Sequence, residues 1–493
     1  MYAVADVPTP DSGESHSRRV LRGFVAMTAS SFVVMGLQLG YAAITSRLLP
    51  ANAFGAYAVA LSGVGFIGML GGSSLGQAAA RRGHDSVHLD RSLIALALTV
   101  GCATALLATL LAPLWGRLWG LPESVPVTRV LAVGIPMTGL ASVLAGVLRR
   151  RGQTSTVAGR TAIGQLAGMA IGLVTVVSMK TAWSLGVAAV AGAVISGTLL
   201  AASVPRERLV PTQPTRASVE DAIYGAKSAG MNLLRYGTNL IAPWSIGRFA
   251  GASDLGAFNR ATTLLTLPLE ALQRAYSYSL FPEMRPDGPA NRTSNALTDI
   301  IILAAWPALF VGGIGYFAAR PFIALLLGPG WETAESIAGL ALMLGVLPII
   351  GVPLASSLEA LGRFKVLATG WIISAVSIAA GALGAAESGS ASPAVLGLLA
   401  ASASASLFHT VVLARTGTLS ASRVLGGTKL IVGVQAAVTI LLAVTTPRMP
   451  GGDFKLLAWV GIVGALELGV LWAIRRRTAF WQVGRSHRLP GFT

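Results

Sequence analysis

The stretch "RLLPANAFGAYAVA" at residues 47–60 returns in altered form as "RFAGASDLGAFNRA" at residues 248–261. Both copies begin with arginine and continue, after seven residues, with Gly-Ala, an aromatic residue, two further residues and alanine. Each copy follows one long apolar stretch and leads into the next. This repetition predicts that the chain consists of two similar halves that begin 201 residues apart.

The composition around this repeat indicates a membrane protein. Of the 493 residues 53% are hydrophobic and only 12% are charged, and the mean hydropathy is +0.68. Soluble domains carry about 25% charged residues. Apolar runs long enough to cross a bilayer recur along the chain, so the expected fold class is an all-α polytopic membrane protein. The single cysteine, Cys102, excludes an intramolecular disulfide.

About fourteen transmembrane helices are predicted. Their expected bounds are 23–46, 54–79, 92–113, 125–147, 156–178, 182–203, 226–247, 256–280, 296–318, 335–358, 365–385, 391–413, 428–446 and 455–474. Six of these spans separate the two copies of the repeat, so both halves run through the membrane in the same direction. A parallel repeat of this kind predicts two pseudo-symmetric six-helix lobes around a central cavity, as in alternating-access transporters.

This reading divides the chain into six parts. They are a cytoplasmic polar tail (1–22), an N-terminal lobe (23–203), a cytoplasmic linker (204–225), a C-terminal lobe (226–413), two additional helices (414–474) and a basic cytoplasmic tail (475–493). The first residues are not expected to be a signal peptide, because Arg18, Arg19 and Arg22 lead into a full-length apolar span.

The net charge of +17 has two possible explanations, a nucleic-acid partner or the enrichment of cytoplasmic loops in basic residues. Alternate loops differ strongly in their number of basic residues, which favours the second explanation. The basic set includes Arg18, Arg19, Arg22, Arg81, Arg82, Arg91, Arg149, Arg150, Arg151, Arg206, Arg208, Arg216, Arg363, Lys365, Arg415, Arg423 and Arg475, Arg476, Arg477. We therefore expect both termini in the cytoplasm, a location in the cytoplasmic membrane of the cell, and no nucleic-acid partner.

One basic loop, "RRGHDSVHLDR" at residues 81–91, brings together two histidines and two aspartates. His84 and His88 lie four residues apart, with Asp85 and Asp90 nearby, so a metal site is conceivable. A solvated connector is the interpretation we favour. No metal, cofactor or catalytic residue is expected in this chain.

Several segments resemble a known family of transporters. They are, in chain order, "TSRLLPANAFGAYAVA", "SLGQAAARR", "AGVLRRRGQ", "IGRFAGASDLGAFNRATTLLTLP", "LFPEM", "LGPGWETA" and "LEALGRFK". Together they resemble the bacterial polysaccharide exporter family, lipid-linked oligosaccharide flippases of the multidrug/oligosaccharidyl-lipid/polysaccharide (MOP) superfamily. The resemblance covers about residues 20–475. It implies transport of undecaprenyl-diphosphate-linked glycans from the cytoplasmic to the outer leaflet.

Such a substrate has an anionic diphosphate, which arginine can hold with its planar fork, and sugars, which amides can hold. In the seventh span Asn232, Arg235 and Asn239 share one helix face at i, i+3 and i+7. A charge at the centre of a bilayer costs about 2.5–3.5 kcal/mol even on insertion scales, so Arg235 is expected to line the cavity rather than face lipid. Gln38 stands in the first span at the place that corresponds to Asn239.

The eighth span supplies Arg260, Arg274 and Glu270. Arg260 and Arg274 are candidate substrate-binding residues, although Arg260 could extend to the interface and Arg274 could pair with Glu270 one turn away. Glu270 and Glu359 are candidate residues for ion coupling, and an interfacial carboxylate is the simpler interpretation of Glu359.

Glycine spacing points to close helix packing in the fifth span. Gly164, Gly168 and Gly172 form a double small-xxx-small pattern, which allows close approach of a second helix.

The expected function is a flippase for a lipid-linked oligosaccharide, with membrane lipids and other polysaccharide-assembly proteins as further partners. A cation-coupled multidrug exporter of the same superfamily and a lipid II flippase are the alternatives. The basic cavity favours an anionic substrate over a cationic drug. An enzyme is not expected, because the longest predicted external connector, near 319–334, is too short to hold donor and acceptor substrates.

Overall fold

The computed structural model describes residues 35–69, 73–81, 86–213, 215, 220, 236–280, 290–448 and 452–486, and the regular elements in these ranges are helices. In chain order they are α1 (35–48), α2 (Ala51–Gly68), α3 (Ser73–Arg81), α4 (Val87–Trp119), α5 (Ser124–Ala132), α6 (Ile135–Arg150), α7 (Thr154–Met179), α8 (Ala182–Ala202), α9 (236–245, continued by the π-helical turn Ile246–Ala250), α10 (Ala252–Leu280), α11 (Ala290–Leu327), α12 (Glu332–Ala360), α13 (Phe364–Ser388), α14 (Ser392–Arg415), α15 (Ala421–Thr445), α16 (Gly452–Ala473) and α17 (Ala479–Ser486).

The chain is a multi-pass membrane protein. Ten of the described helices are long and apolar enough to cross a bilayer, and the count is eleven if α5 and α6, bent by 40°, form one broken span. The expected class is thereby confirmed. The count of fourteen stays a prediction, because the first and seventh predicted spans lie partly outside the described residues and α10 is not among the ten. The predicted domain bounds likewise stay predictions.

Helix ends follow from local chemistry at the connections. The hydroxyl of Ser86 accepts the backbone N–H of Leu89 at 3.4 Å and so caps the start of α4. The same helix ends at Gly120, whose φ of 70° lies in the left-handed region that favours glycine. Between α1 and α2, Pro50 has an extended backbone, which separates the two helices at the start of the repeat.

Glycines bring two helix pairs into close contact. On α7 the predicted glycines face α8: a side chain at Gly164 would overlap Ser196, and one at Gly168 would overlap Gly192. The expected packing role of the small-xxx-small pattern is confirmed. A matching contact joins α13 to α14, where a Cβ on Gly381 would lie only 2.6 Å from the Cα atom of Gly397.

The two copies of the repeat meet at one end of the helix bundle, which we call the corner end. A methyl group on Gly55 would overlap the carbonyl group of Ala252, and one on Gly256 would overlap the carbonyl group of Ala51. Helices α2 and α10 therefore pack backbone to backbone at this end. Around them a continuous apolar core includes residues of both halves, among them Phe54, Val59, Leu255, Ala257, Ile337 and Ala341.

The opposite end of the bundle, which we call the arginine-rich end, corrects one sequence-based expectation. Asp90 does not lie in a solvated connector: it is fully buried at the start of α4. Both of its oxygens accept hydrogen bonds from Arg150 Nη2 at 2.8 Å, and one also accepts a hydrogen bond from Arg208 Nη1 at 2.6 Å. The helical register turns Asp90 inward, where its charge stabilises the segment around Arg208 against the N-terminal half. Among the described residues no group of three metal-binding side chains occurs.

Candidate functional site

A cavity of about 450 Å³ lies between the first helices of the chain and α10. Helices α1, α2, α6, α7, α8 and α10 supply its lining, which consists of Gln38, Tyr41, Tyr57, Thr138, Thr161, Gln165, Met169, Leu185, Ala188, Ala189, Gly192, Ala193, Ser196 and Arg260. Among these lining residues Arg260 alone comes from the second half of the chain. The cavity is thus built mainly on the N-terminal half, with one cation contributed by the C-terminal half.

The environment of Arg260 leaves its positive charge without an acidic counter-ion. Its guanidinium carbon lies 3.9 Å from the centre of the Phe54 ring, in a cation–π contact. Its Nη2 atom lies 3.5 Å from Thr45 Oγ1, a long contact, and its buried Nε has no hydrogen-bond partner. No carboxylate of the described residues forms a salt bridge with Arg260. The guanidinium group is therefore held by an aromatic ring and remains able to bind an anion.

Hydroxyl and amide groups surround this cation. On α7, Thr161 and Gln165 follow each other at i and i+4, so both line the cavity beside the glycine stripe that packs on α8. Tyr41 points a buried hydroxyl group without a hydrogen-bond partner into the same region. Such groups suit the hydroxyl-rich surface of a sugar.

The structure brings together two of the residues predicted from the sequence. Gln38 and Arg260 line the same cavity, and the guanidinium group of Arg260 lies against Phe54 in the first turn of α2. Asn239 lies exposed on α9, and Glu270 and Glu359 lie exposed on α10 and in the last turn of α12. Three predicted residues are not placed beside these. Asn232 and Arg235 lie outside the described residues, and of Arg274 only the helical backbone is described.

Sequence reasoning missed the contribution of α7. Thr161 and Gln165 stand in a span that drew attention only for its glycines. Their i, i+4 spacing was the available signal, because it places both polar residues beside the glycine stripe, on the packed side of α7 and not on the side that faces lipid.

The corner end shows the repeat in three dimensions. Arg47 donates from Nη2 to the carbonyl oxygen of Leu325 at 2.7 Å, and its side chain lies over Gly328 at the end of α11. Arg248, its counterpart in the second copy, lies over Gly120 at the end of α4. Each arginine therefore covers the glycine that ends a helix of the other half.

Two tryptophans of the second half add further contacts between the halves. The indole of Trp331 donates to the carbonyl oxygen of Ser46 at 3.1 Å, and that of Trp244 donates to the carbonyl oxygen of Leu118 at 3.0 Å. The corner end is therefore closed by contacts that run from each half to the other.

Comparison with known proteins places the chain in a family. A sequence model for the family described as "Polysaccharide biosynthesis protein" matches residues 44–336, more than half of the chain. The chain belongs to this family. A curated relative, the succinoglycan biosynthesis transport protein ExoT of Rhizobium meliloti (strain 1021), is 26% identical over 343 residues, which cover 67% of each protein.

Solved structures share the fold of this family member. A lipid II flippase MurJ in an inward closed conformation matches with a TM-score of 0.74 at 12% identity, covering 92% of this chain and 99% of that one. A multidrug resistance MATE family transporter in an inward-facing conformation matches with a TM-score of 0.60 at 16% identity, covering 78% and 94%. The family match confirms the resemblance stated from the sequence, and these solved structures show the fold that the chain shares with them.

Proposed function

We propose that this chain flips a polyprenyl-diphosphate-linked oligosaccharide from the inner to the outer leaflet of the cytoplasmic membrane by alternating access. The observation that carries the proposal is Arg260, a cation that pairs with no carboxylate of the described residues, in a cavity whose lining includes amide and hydroxyl groups. A desolvated guanidinium group binds a diphosphate strongly, because its planar fork matches phosphate oxygens and little water competes. The lipid tail can stay in the bilayer while the head group occupies the cavity.

The shape of the bundle supports alternating access. The corner end is closed by contacts between the halves, through Gly55 and Gly256 and through the exchanged arginines. The basic loops favour a cytoplasmic arginine-rich end, with both termini inside and the corner end outside. In that orientation the described conformation faces inward and receives its cargo from the inner leaflet. We propose transport without catalysis, with membrane lipids and other polysaccharide-assembly proteins as partners.

The charge of the cavity argues against the alternative of a multidrug exporter. A cationic drug would meet Arg260, and no carboxylate lines the cavity among the described residues. Lipid II shares the polyprenyl diphosphate and differs in its sugars, so it enters the experiment as a second substrate.

The test uses purified full-length protein in proteoliposomes with a fluorescent polyprenyl-diphosphate oligosaccharide, and flipping is read from quenching of accessible fluorophore. Arg260→Ala should lower the flipping rate about tenfold to a hundredfold, because a charge-assisted hydrogen bond contributes about 1.5–3 kcal/mol. Arg260→Lys should restore part of the rate, since it keeps the charge and loses the fork. Lys365→Ala, at an exposed position, is the control. Undiminished flipping by Arg260→Ala would refute the role of this residue, and flipping of lipid II alone would favour the alternative substrate.

A further inference from the structure

The last two long helices hold a buried acid and a buried amide that the cavity does not use. Glu467 on α16 is 4% exposed and Gln435 on α15 is 6% exposed. Both carboxyl oxygens of Glu467, and both the oxygen and the nitrogen of the Gln435 amide, are buried without a hydrogen-bond partner. Four unpaired polar atoms in two buried side chains are costly in a membrane, so they indicate a bound species.

Both side chains pack against the same part of α11. Glu467 continues the buried stripe of α16 formed by Val460, Val463 and Gly464, and a Cβ on Gly464 would lie 3.3 Å from Ile314. Gln435 lies on the buried stripe of α15, and its amide occupies the space that a side chain at Gly313 would need. The acid and the amide therefore approach α11 at about the same depth.

No basic side chain neutralises the acid among the described residues. The charged side chains on the helices that pack around it are Asp299 and Arg320 on α11, Arg423 and Lys429 on α15, Asp453 and Lys455 on α16, Arg475 and Arg476 after α16, and Arg485 on α17.

These charges lie towards the helix ends and several have partners of their own. Arg423 pairs with Asp299 at 2.7 Å, and Arg320 lies 3.9 Å from Glu335. The guanidinium group of Arg475 stacks on Trp472, at 4.1 Å from its ring centre.

We propose that Glu467 and Gln435 form an intramembrane proton-binding site that couples transport to a proton gradient. In the described conformation the carboxyl group carries the proton, since an ionised carboxylate here would have no counter-charge. Protonation adds one proton to one carboxylate oxygen and so removes the charge. No hydrogen bond joins Gln435 to Glu467 in the described conformation, and the unpaired amide contributes a second polar group against the same part of α11. A metal ion would require more oxygen ligands than these two side chains supply.

A route of packed helices connects this site to the cavity. Gly312 of α11 lies against Val346 of α12, and Gly345 of α12 lies against Leu269 of α10, the helix that carries Arg260. The side-chain amide of Gln273 on α10 also donates to the carbonyl oxygen of Gly345 at 2.8 Å. Loss of the proton would favour water at Glu467 and so a shift of α11, which α12 can transmit to α10. This coupling rests on the proposed transport function.

The proton site is tested first without transport. Infrared difference spectra of the reconstituted full-length protein, recorded while pH is changed, should contain a protonated-carboxyl band that Glu467→Gln removes. Gln435→Leu should shift that band, because it replaces the unpaired amide by an apolar group and so lowers the polarity around the carboxyl group. The control is Glu387→Gln, an exposed residue outside this site. Persistence of the full band in Glu467→Gln protein, or its absence from the wild type, would overturn the proposal.

Coupling is tested next by flipping under an imposed proton gradient. The gradient should accelerate the wild type and the Glu387→Gln control, and this acceleration should be lost in Glu467→Gln, which mimics the protonated acid. Gly313→Ala, which displaces the Gln435 amide, should weaken the acceleration by the gradient. It provides a second variant if Glu467→Gln folds poorly. Equal acceleration of all variants, or acceleration by a sodium gradient alone, would refute coupling through this site. If the wild type flips no lipid-linked glycan while the carboxyl band is present, the proposed function fails and the proton site stands.

Discussion

Gly256 lies against the backbone nitrogen of Gly55, and the two residues occupy the same place in the two copies of the repeat. A Cβ atom on Gly256 would lie 2.9 Å from that nitrogen. Ala51 and Ala252, one turn earlier in each copy, complete the contact with their carbonyl groups. The pseudo-two-fold axis of the molecule therefore passes between these two glycines, and the absence of side chains is what lets α2 and α10 close.

Enlarging one of these glycines should open the corner end. In Gly256→Leu the new side chain cannot share space with the Ala51 carbonyl, so we expect the open conformation to gain population. The measurement is the distance between spin labels at Glu123 and Glu332, exposed positions in different halves, in a Cys102→Ser background. The distance distribution should move to longer values.

The matched control for this variant is Gly461→Leu, since nothing lies within 4 Å of a Cβ at that glycine. It should leave the distances as in the wild type. A Gly256→Leu protein that folds and keeps the short distances would show that the glycine contact does not hold the corner end closed.

The cavity face of α7 should react with water-soluble thiol reagents. Cysteine at Thr161 or Gln165 faces the cavity and can ionise there, whereas cysteine at Ile163 or Val174 faces lipid, where the reactive thiolate is disfavoured. We therefore expect labelling of the first pair and protection of the second, measured by mass shift in a Cys102→Ser background. Labelling of all four positions alike would place α7 outside the cavity wall.

Removing the charge of Asp90 should destabilise the arginine-rich end. Asp90→Asn takes the carboxylate away from two buried guanidinium groups, and breaking a buried ion pair from one side costs about 3–5 kcal/mol. The expected result is a clearly lower melting temperature of the purified protein in detergent. Glu123→Gln, which removes an exposed acid, should melt as the wild type does. Equal melting of both variants would mean that the Asp90 charge contributes nothing to stability.

Repetition and composition were enough to predict the membrane class and the two similar halves, and the ordered motifs were enough to state the resemblance to the family. The duplicated Gly-Ala, in two segments that each join one span to the next, can be read directly from the sequence. The expectation that Gln38 and Arg260 face the cavity was also drawn from the sequence. The orientation of the Asp90 side chain was not predictable in this way. Asp90 stands in a polar loop sequence, and only the helical turn begun at Ser86 directs it between Arg150 and Arg208.

Glu467 was missed for a related reason. Its span is apolar apart from this residue and Lys455 at its start, and nothing in the sequence indicates which side of α16 packs on α11. Burial of its carboxyl group depends on contact with a helix far away in the chain, which periodicity within one span does not report.

The place of Arg260 in the repeat has a consequence for the cargo. Its counterpart in the first copy is Val59, a fully buried apolar residue, so the duplication that shaped the scaffold did not duplicate the charge. A cavity in a pseudo-symmetric scaffold, with a cation on one side only, distinguishes the two ends of a molecule that binds in it. A molecule with an anionic group at one end and neutral sugars at the other can settle in only one orientation, with the sugars towards α7. On the proposed function, this asymmetry of charge gives every substrate molecule the same orientation in the cavity before the two halves move.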